Sequence, residues 1–183
     1  MLMYPALFLD RDGVIIENCP DYVRSWKDVL VYEHSLPVLA KISTSPYKIV
    51  IVTNQSAVGR GIISLNTAQQ INHRLVHLIE ETGGRIDGVF MCPHAPEEGC
   101  ECRKPKPGLL HQAAQALSID LNSSIMIGDA VSDLLAGQAA GVGTRILLKS
   151  GRGAAQYRLT GSMDLGTFLV YETLADATED LLT

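Results

Sequence analysis

Two aspartates one residue apart, Asp10 and Asp12, close the apolar run Ala6-Leu7-Phe8-Leu9 and are followed at once by Gly13. A turn after a buried strand is a place where carboxylates escape the sheet but not the protein, and unpartnered charges there are costly. A hard divalent cation removes that cost, because Mg²⁺ prefers carboxylate oxygen and is commonly shared with a substrate phosphate. Asp129, in Gly128-Asp129-Ala130-Val131-Ser132-Asp133, ends a second apolar run, so Asp10, Asp12 and Asp129 form the expected Mg²⁺ set, with Asp133 supporting the metal or its waters indirectly.

Phosphoryl transfer needs an in-line nucleophile, neutralisation of the equatorial oxygens and a proton for the leaving alkoxide. Asp10 is the candidate nucleophile, forming an aspartyl-phosphate, and Asp12 the acid that later activates water. Thr53 offers a hydroxyl and, with Asn54, backbone N–H groups to the phosphoryl oxygens, while Lys104 and Arg103 supply fixed positive charge. A calcium loop can also open on Asp-x-Asp, but its later acidic positions are missing here.

Cys92-Pro93-His94 and Cys100-Glu101-Cys102 place three thiols and an imidazole in one polar loop, a donor set suited to tetrahedral Zn²⁺. Four protein ligands close a zinc site, so its expected job is structural: to fold the loop that delivers Arg103 and Lys104. Cys19 is left as a lone thiol without a role. His73 and His77, four apart on a helical pattern, are read as a solvated face.

These groups require elements that bring strand ends together. Strands are expected at Ala6 to Leu9, Lys48 to Thr53, Gly88 to Cys92, Ser124 to Gly128, Thr144 to Leu148 and Phe168 to Val170, alternating with helices over Asn66 to Thr82, Leu109 to Leu117, Asp133 to Ala140 and Thr173 to Leu182. Such alternation implies an α/β fold with a doubly wound, mostly parallel sheet, whose ligands sit beyond the carboxyl ends of the strands. The Gly151-Arg152-Gly153 stretch reads as an ordinary surface loop.

At 183 residues with 46% hydrophobic content, one core is expected, in a single domain spanning 1–183 with the zinc loop 92–102 as an insertion and a minimal cap. A net charge of -5 and few aromatic residues argue against a nucleic-acid partner. The chain shows no run long enough to span a membrane and no signal-like start, so a cytoplasmic protein is expected, as a monomer.

Asp10-Arg11-Asp12-Gly13-Val14, Thr53-Asn54-Gln55, Arg103-Lys104-Pro105 and Gly128-Asp129 resemble, in order, the four motifs of the haloacid dehalogenase superfamily of phosphatases. That resemblance implies the same nucleophile, acid/base and Mg²⁺ assignments. The zinc loop is similar to those of two families within it, the heptose 1,7-bisphosphate 7-phosphatases and the histidinol-phosphate phosphatases. Thr53-Asn54-Gln55-Ser56 followed by Gly59-Arg60-Gly61 is more similar to the former, which implies that Asn54, Gln55 and Ser56 touch a small phosphorylated metabolite. Arg60 meets a second phosphate or sugar hydroxyl, or is a solvated loop arginine; Asn18, Asp21 and Tyr22 touch substrate or are ordinary loop residues. Ala57 and Ala130 depart from the heptose pattern, standing where glycine and lysine occur in members of that family. The Thr-Asn-Gln and Gly-Arg-Gly run also resembles polynucleotide 3′-phosphatases. A catalytically silent zinc-binding scaffold is the non-enzymatic alternative.

Overall fold

The computed structural model describes residues 2–181. Among them, β1 (Ala6–Leu9), β2 (Lys48–Asn54), β3 (Gly88–Cys92), β4 (Ile125–Gly128), β5 (Thr144–Leu148) and β6 (Leu169–Tyr171) form one parallel sheet in the order β3-β2-β1-β4-β5-β6. The strand expectations hold to within a residue or two at each end. Helices α1 (Ser35–Ile42), α2 (Ser56–Gly59), α3 (Leu65–Glu81), α4 (Gly108–Leu117), α5 (Val131–Ala140), α6 (Gly153–Tyr157) and α7 (Leu174–Leu181) cover it. The last expected helix was drawn to Leu182, which lies outside the described residues.

Both faces of the sheet are buried, which is why its strands read as continuous apolar runs rather than alternations. On one face Leu7, Leu9, Ile49, Ile51, Ile127 and Ile146 pack with Leu39 and Ile42 of α1, Leu75 and Ile79 of α3, and Leu174 of α7. On the other, Phe8, Val50, Val52 and Met126 meet Leu109, Leu110 and Ala113 of α4 and Ala136 of α5. Helix α3 starts where Ser64 accepts a hydrogen bond from the Thr67 backbone N–H, an N-cap that satisfies one orphan donor. His73 and His77 lie on its exposed face, and His77 Nδ1 is 3.3 Å from Glu81 Oε1.

Helix α1 has no counterpart among the expected elements, because Pro37 falls inside it. Proline is tolerated there since the first-turn N–H groups have no intrahelical acceptor anyway. The strand order places β1 beside β4 at the point where the winding reverses, and ligands of such sheets bind in the crevice beyond those carboxyl ends. The residues directly after β1 and β4 are Asp10 and Asp129. No separate cap module occurs among the described residues; the segment between β1 and α1 supplies one wall of the crevice instead.

Candidate active site

Asp10 leaves β1 with its backbone N–H still bonded to Ile127 O at 3.0 Å, so the sheet itself fixes the carboxylate's position. Only 5% of Asp10 is exposed. Burial pushes its carboxyl up to about 7 against the pull of Lys104, and the nearby Asp133, Asp129 and Asp12 push the same way. The buried Lys104 ammonium lies 2.9 Å from Asp10 Oδ1 and 2.7 Å from Asp133 Oδ1, and it donates to Val52 O at 2.8 Å. Burial alone would discharge this lysine, but Asp10 and Asp133 outweigh it and hold the ammonium above its ordinary value.

Asp10, Asp129 and Asp133, all buried, bring carboxylate oxygens within 4.8 Å of one another. Asp129 Oδ2 accepts from Asn18 Nδ2 at 2.7 Å and from the Arg152 backbone N–H at 2.8 Å, yet burial still pushes its carboxyl up. Asp133, on the first turn of α5, accepts from the Ala130 backbone N–H at 3.0 Å and turns its other oxygen to Lys104. A buried, oxygen-rich, net negative group of this kind fits a hard divalent cation. Two glycines make room for it. A Cβ on Gly13, whose φ is +89°, would sit 2.1 Å from Asp129 Oδ2, and one on Gly128 would sit 2.1 Å from Asp133 Oδ2.

The Asp12 carboxylate lies outside this cluster. Arg11 forks onto it, Nε to Oδ2 and Nη2 to Oδ1, both at 3.1 Å, while Arg11 Nη1 donates to Asn72 Oδ1 of α3 at 2.8 Å. Gln55 Nε2 donates to Asp12 Oδ2 at 3.0 Å and to Thr53 Oγ1 at 2.9 Å. Asp12 lines the crevice with both carboxylate oxygens bonded to Arg11, and its carboxylate is not among the three of the cluster.

The crevice encloses about 630 Å³. Of the residues singled out from sequence, Asp10, Asp12, Asn18, Tyr22, Asn54, Gln55, Ser56, Arg103 and Lys104 line it. Tyr22 does so with a φ of 65°, an uncommon conformation for a bulky side chain and one often found at ligand sites. Thr53 is fully buried behind Gln55. Asp21 is exposed and its carbonyl accepts from Arg24 Nε at 2.9 Å, whereas Arg60 points away to Glu97 at 2.9 Å on the zinc loop. Neither is brought to the crevice; for Arg60 this favours the loop-arginine alternative.

Three contributors were not foreseen. Arg11 and Ser132 fell inside motifs whose neighbours drew the chemistry. Arg152 was assigned to an ordinary surface loop, and that assignment is corrected: its backbone N–H holds Asp129, Ser150 Oγ donates to Gly13 O at 2.7 Å, and Gly153 opens α6. A Cβ on Gly151 would lie 2.4 Å from Asn18 Nδ2, so this loop packs directly on the site. The signal was available, since the segment follows β5 at the same edge of the sheet as the other motifs.

Cys92, His94, Cys100 and Cys102 converge as the spacing implied. Cys100 Sγ is 3.5 Å from both Cys92 Sγ and Cys102 Sγ, and His94 Nδ1 is 3.6 Å from Cys92 Sγ and 3.3 Å from Cys102 Sγ. Tetrahedral Zn²⁺ would set sulfurs about 3.8 Å apart and sulfur to nitrogen about 3.6 Å. Disulfides require roughly 2.05 Å between sulfurs, so these cysteines are unpaired and their donor set fits zinc.

A HAD-hydrolase-like family model matches residues 101–177. The D-glycero-beta-D-manno-heptose-1,7-bisphosphate 7-phosphatase of Pseudomonas aeruginosa is 35% identical over 176 residues, covering 96% of this chain and 97% of that protein. The chain belongs to this family of haloacid dehalogenase-like phosphatases. It is therefore a phosphoric monoester hydrolase. The Helicobacter pylori enzyme of the same name is 44% identical over 145 residues, covering 78% of this chain and 82% of that one. The crystal structure of the D,D-heptose 1,7-bisphosphate phosphatase from B. bronchiseptica, complexed with magnesium and phosphate, superposes with a TM-score of 0.90 at 34% identity, covering 97% of this chain and 98% of that one. Phosphatases of this family use Mg²⁺. No helix among the described residues is long and apolar enough to cross a membrane.

Proposed function

We propose that this chain removes the 7-phosphate of D-glycero-D-manno-heptose 1,7-bisphosphate through an aspartyl-phosphate on Asp10. The observation that carries the mechanism is the division of labour between the two aspartates: Asp10 sits against Lys104 in the cation cluster, and Asp12 is held apart by Arg11 and Gln55. The substrate class is supported by the relatives named above, which match along nearly the whole chain.

Asp10 attacks phosphorus as the bond to the sugar oxygen breaks, and Asp12 gives its proton to the departing alkoxide. Water then attacks the aspartyl-phosphate, Asp12 takes its proton, and inorganic phosphate leaves Asp10 restored. Lys104 favours the charged form of Asp10 against its burial and holds it in place, and Asn54, Gln55 and Ser56 receive the phosphoryl group and the sugar. Mg²⁺, held by Asp10 and Asp129 with Asp133 behind them, supplies neutralisation of the phosphoryl oxygens so that an anion can approach a carboxylate. Cys92, His94, Cys100 and Cys102 would hold Zn²⁺, which would fix the loop that ends in Arg103 and Lys104. One chain acting as a monomer is sufficient for all of this, since the groups invoked come from one sheet edge and one loop.

The test is a side-by-side kcat/KM comparison of heptose 1,7-bisphosphate, histidinol phosphate and a 3′-phosphorylated oligonucleotide with Mg²⁺ present. The bisphosphate is expected to be turned over fastest by at least tenfold. Faster turnover of either alternative overturns the substrate, and no turnover of any phosphomonoester favours the scaffold.

A further inference from the structure

Helix α3 turns Ala68, Ile71, Leu75 and Ile79 into the core, and Asn72 is buried with them at 4% exposure. Asparagine is a weak helix former, and its amide costs free energy in an apolar stripe unless both ends are bonded. Here both are. Asn72 Oδ1 accepts from Arg11 Nη1 at 2.8 Å, and Nδ2 donates to the Met91 sulfur of β3 at 3.5 Å. The amide is thereby held in one orientation, with its oxygen toward Arg11.

Arg11 carries that constraint on to Asp12. Its Nε and Nη2 fork onto the two Asp12 oxygens at 3.1 Å each, and Nη1, the remaining nitrogen, is the one bonded to Asn72. A guanidinium is rigid and planar, so a bond at Nη1 fixes the direction of the fork as well. The Arg11 side chain is 2% exposed, and solvent has little access to take the place of the Asn72 carbonyl; the Asp12 side chain is 21% exposed and lines the crevice. Gln55 holds Asp12 from the β2 side by one bond to Oδ2 at 3.0 Å, and of the two partners Arg11 alone reaches Oδ1. Asn72 itself does not line the crevice.

We infer that Asn72 is a positioning residue for the acid/base group: through Arg11 it fixes where the Asp12 carboxylate meets the leaving oxygen and the attacking water. This rests on the proposal that Asp12 moves the proton in both half-reactions. A displacement of about 1 Å in such a group can cost roughly a hundredfold in rate. Because Asn72 acts on Asp12 and not on Asp10 or the phosphoryl group, its loss falls on proton transfer and spares the attack on phosphorus.

The experiment compares wild type, Asn72→Ala and the milder truncation Asn72→Ser on p-nitrobenzyl phosphate and p-nitrophenyl phosphate with Mg²⁺ present. The two substrates are alike in shape, but the first expels an alkoxide that needs a proton as the bond breaks, and the second expels a phenolate that leaves without one. Rapid quench within the first turnover reads release of each leaving group and the phosphoryl-enzyme that remains. Both variants are expected to slow release of the benzyl alcohol at least tenfold more than release of the phenolate. The phosphoryl-enzyme formed from p-nitrophenyl phosphate should then persist at least tenfold longer, because Asp12 also takes the proton of water. The ratio between two substrates on one preparation does not depend on the fraction folded, so a merely structural asparagine moves both rates together. Equal losses on the two substrates, or no loss on either, overturns the role of Asn72. A wild type that forms no phosphoryl-enzyme overturns the covalent route on Asp10, and the alcohol-to-phenolate ratio still decides for or against Asn72.

Discussion

Asn54 and Lys104 are joined by a reciprocal pair of hydrogen bonds: Asn54 Nδ2 donates to Lys104 O at 3.0 Å, and the Lys104 backbone N–H donates to Asn54 Oδ1 at 3.1 Å. A side-chain amide here imitates a rung of a β-ladder and ties the end of β2 to the segment emerging from the zinc loop. The lysine that touches Asp10 is therefore placed by its own main chain as well as by its ammonium.

Asn54→Ala should remove both bonds and leave two polar groups of Lys104 unpaired, at about 1–3 kcal/mol. The expected result is a fall in kcat of tenfold or more. Asn54→Asp keeps the acceptor but sets a carboxylate oxygen against Lys104 O and against the incoming phosphate, so it should retain no more activity than Asn54→Ala; steady-state kinetics of the two variants check this ordering.

Asp10→Asn should lower kcat by more than about a thousandfold with the fold retained, because an amide cannot attack phosphorus. Rapid quench with labelled substrate should trap phosphate on the wild type and none on the variant. Substantial residual turnover would count against the covalent route.

Arg11 is almost wholly buried and links Asp12 to Asn72. Arg11→Met keeps much of the volume but leaves Asn72 Oδ1 without its arginine donor and Asp12 with Gln55 alone, at about 2–4 kcal/mol. For a chain of this length that corresponds to a melting temperature lower by about 4–16 °C, read by calorimetry. An unchanged melting temperature would show that the network contributes nothing.

Gly13→Ala places a methyl group against the Asp129 carboxylate at a positive φ. We expect the Mg²⁺ concentration for half-maximal activity to rise at least tenfold, since the displaced carboxylate belongs to the group proposed to hold the cation. Titration with Mg²⁺ distinguishes this from a simple loss of folded protein, which would lower the plateau without moving the midpoint.

Chelation of zinc, followed by return of Mg²⁺ alone, should leave the enzyme largely inactive, and added Zn²⁺ should restore it. Metal analysis of the purified protein should give about one zinc per chain, as expected for a closed four-ligand site. Full activity without zinc would separate the loop from catalysis.

Much of this was legible in the amino-acid order. The six strands are apolar runs because both sheet faces are covered, and Cys92, His94, Cys100 and Cys102 are close in the chain, so their meeting is a local event. Asp10, Asp12 and Asp129 were recognisable because each follows such a run, where the backbone alone dictates that side chains reach the sheet edge. Helix α1 was hidden by Pro37, whose tolerance depends on the exact turn it occupies.

What only the tertiary structure decided involves pairs far apart in the chain or choices among rotamers. That Asp12 belongs to Arg11 and Gln55 while Asp133 joins Asp10 and Asp129 is a matter of side-chain direction, which spacing does not encode. That Arg60 turns to Glu97 and Arg152 turns into the crevice depends on which loop packs on which, with partners 37 and 23 residues away. Local order determined the strands, the turns after them and the metal donors; long-range packing determined which charge faces which, because electrostatic partners are chosen by distance in space and not along the chain.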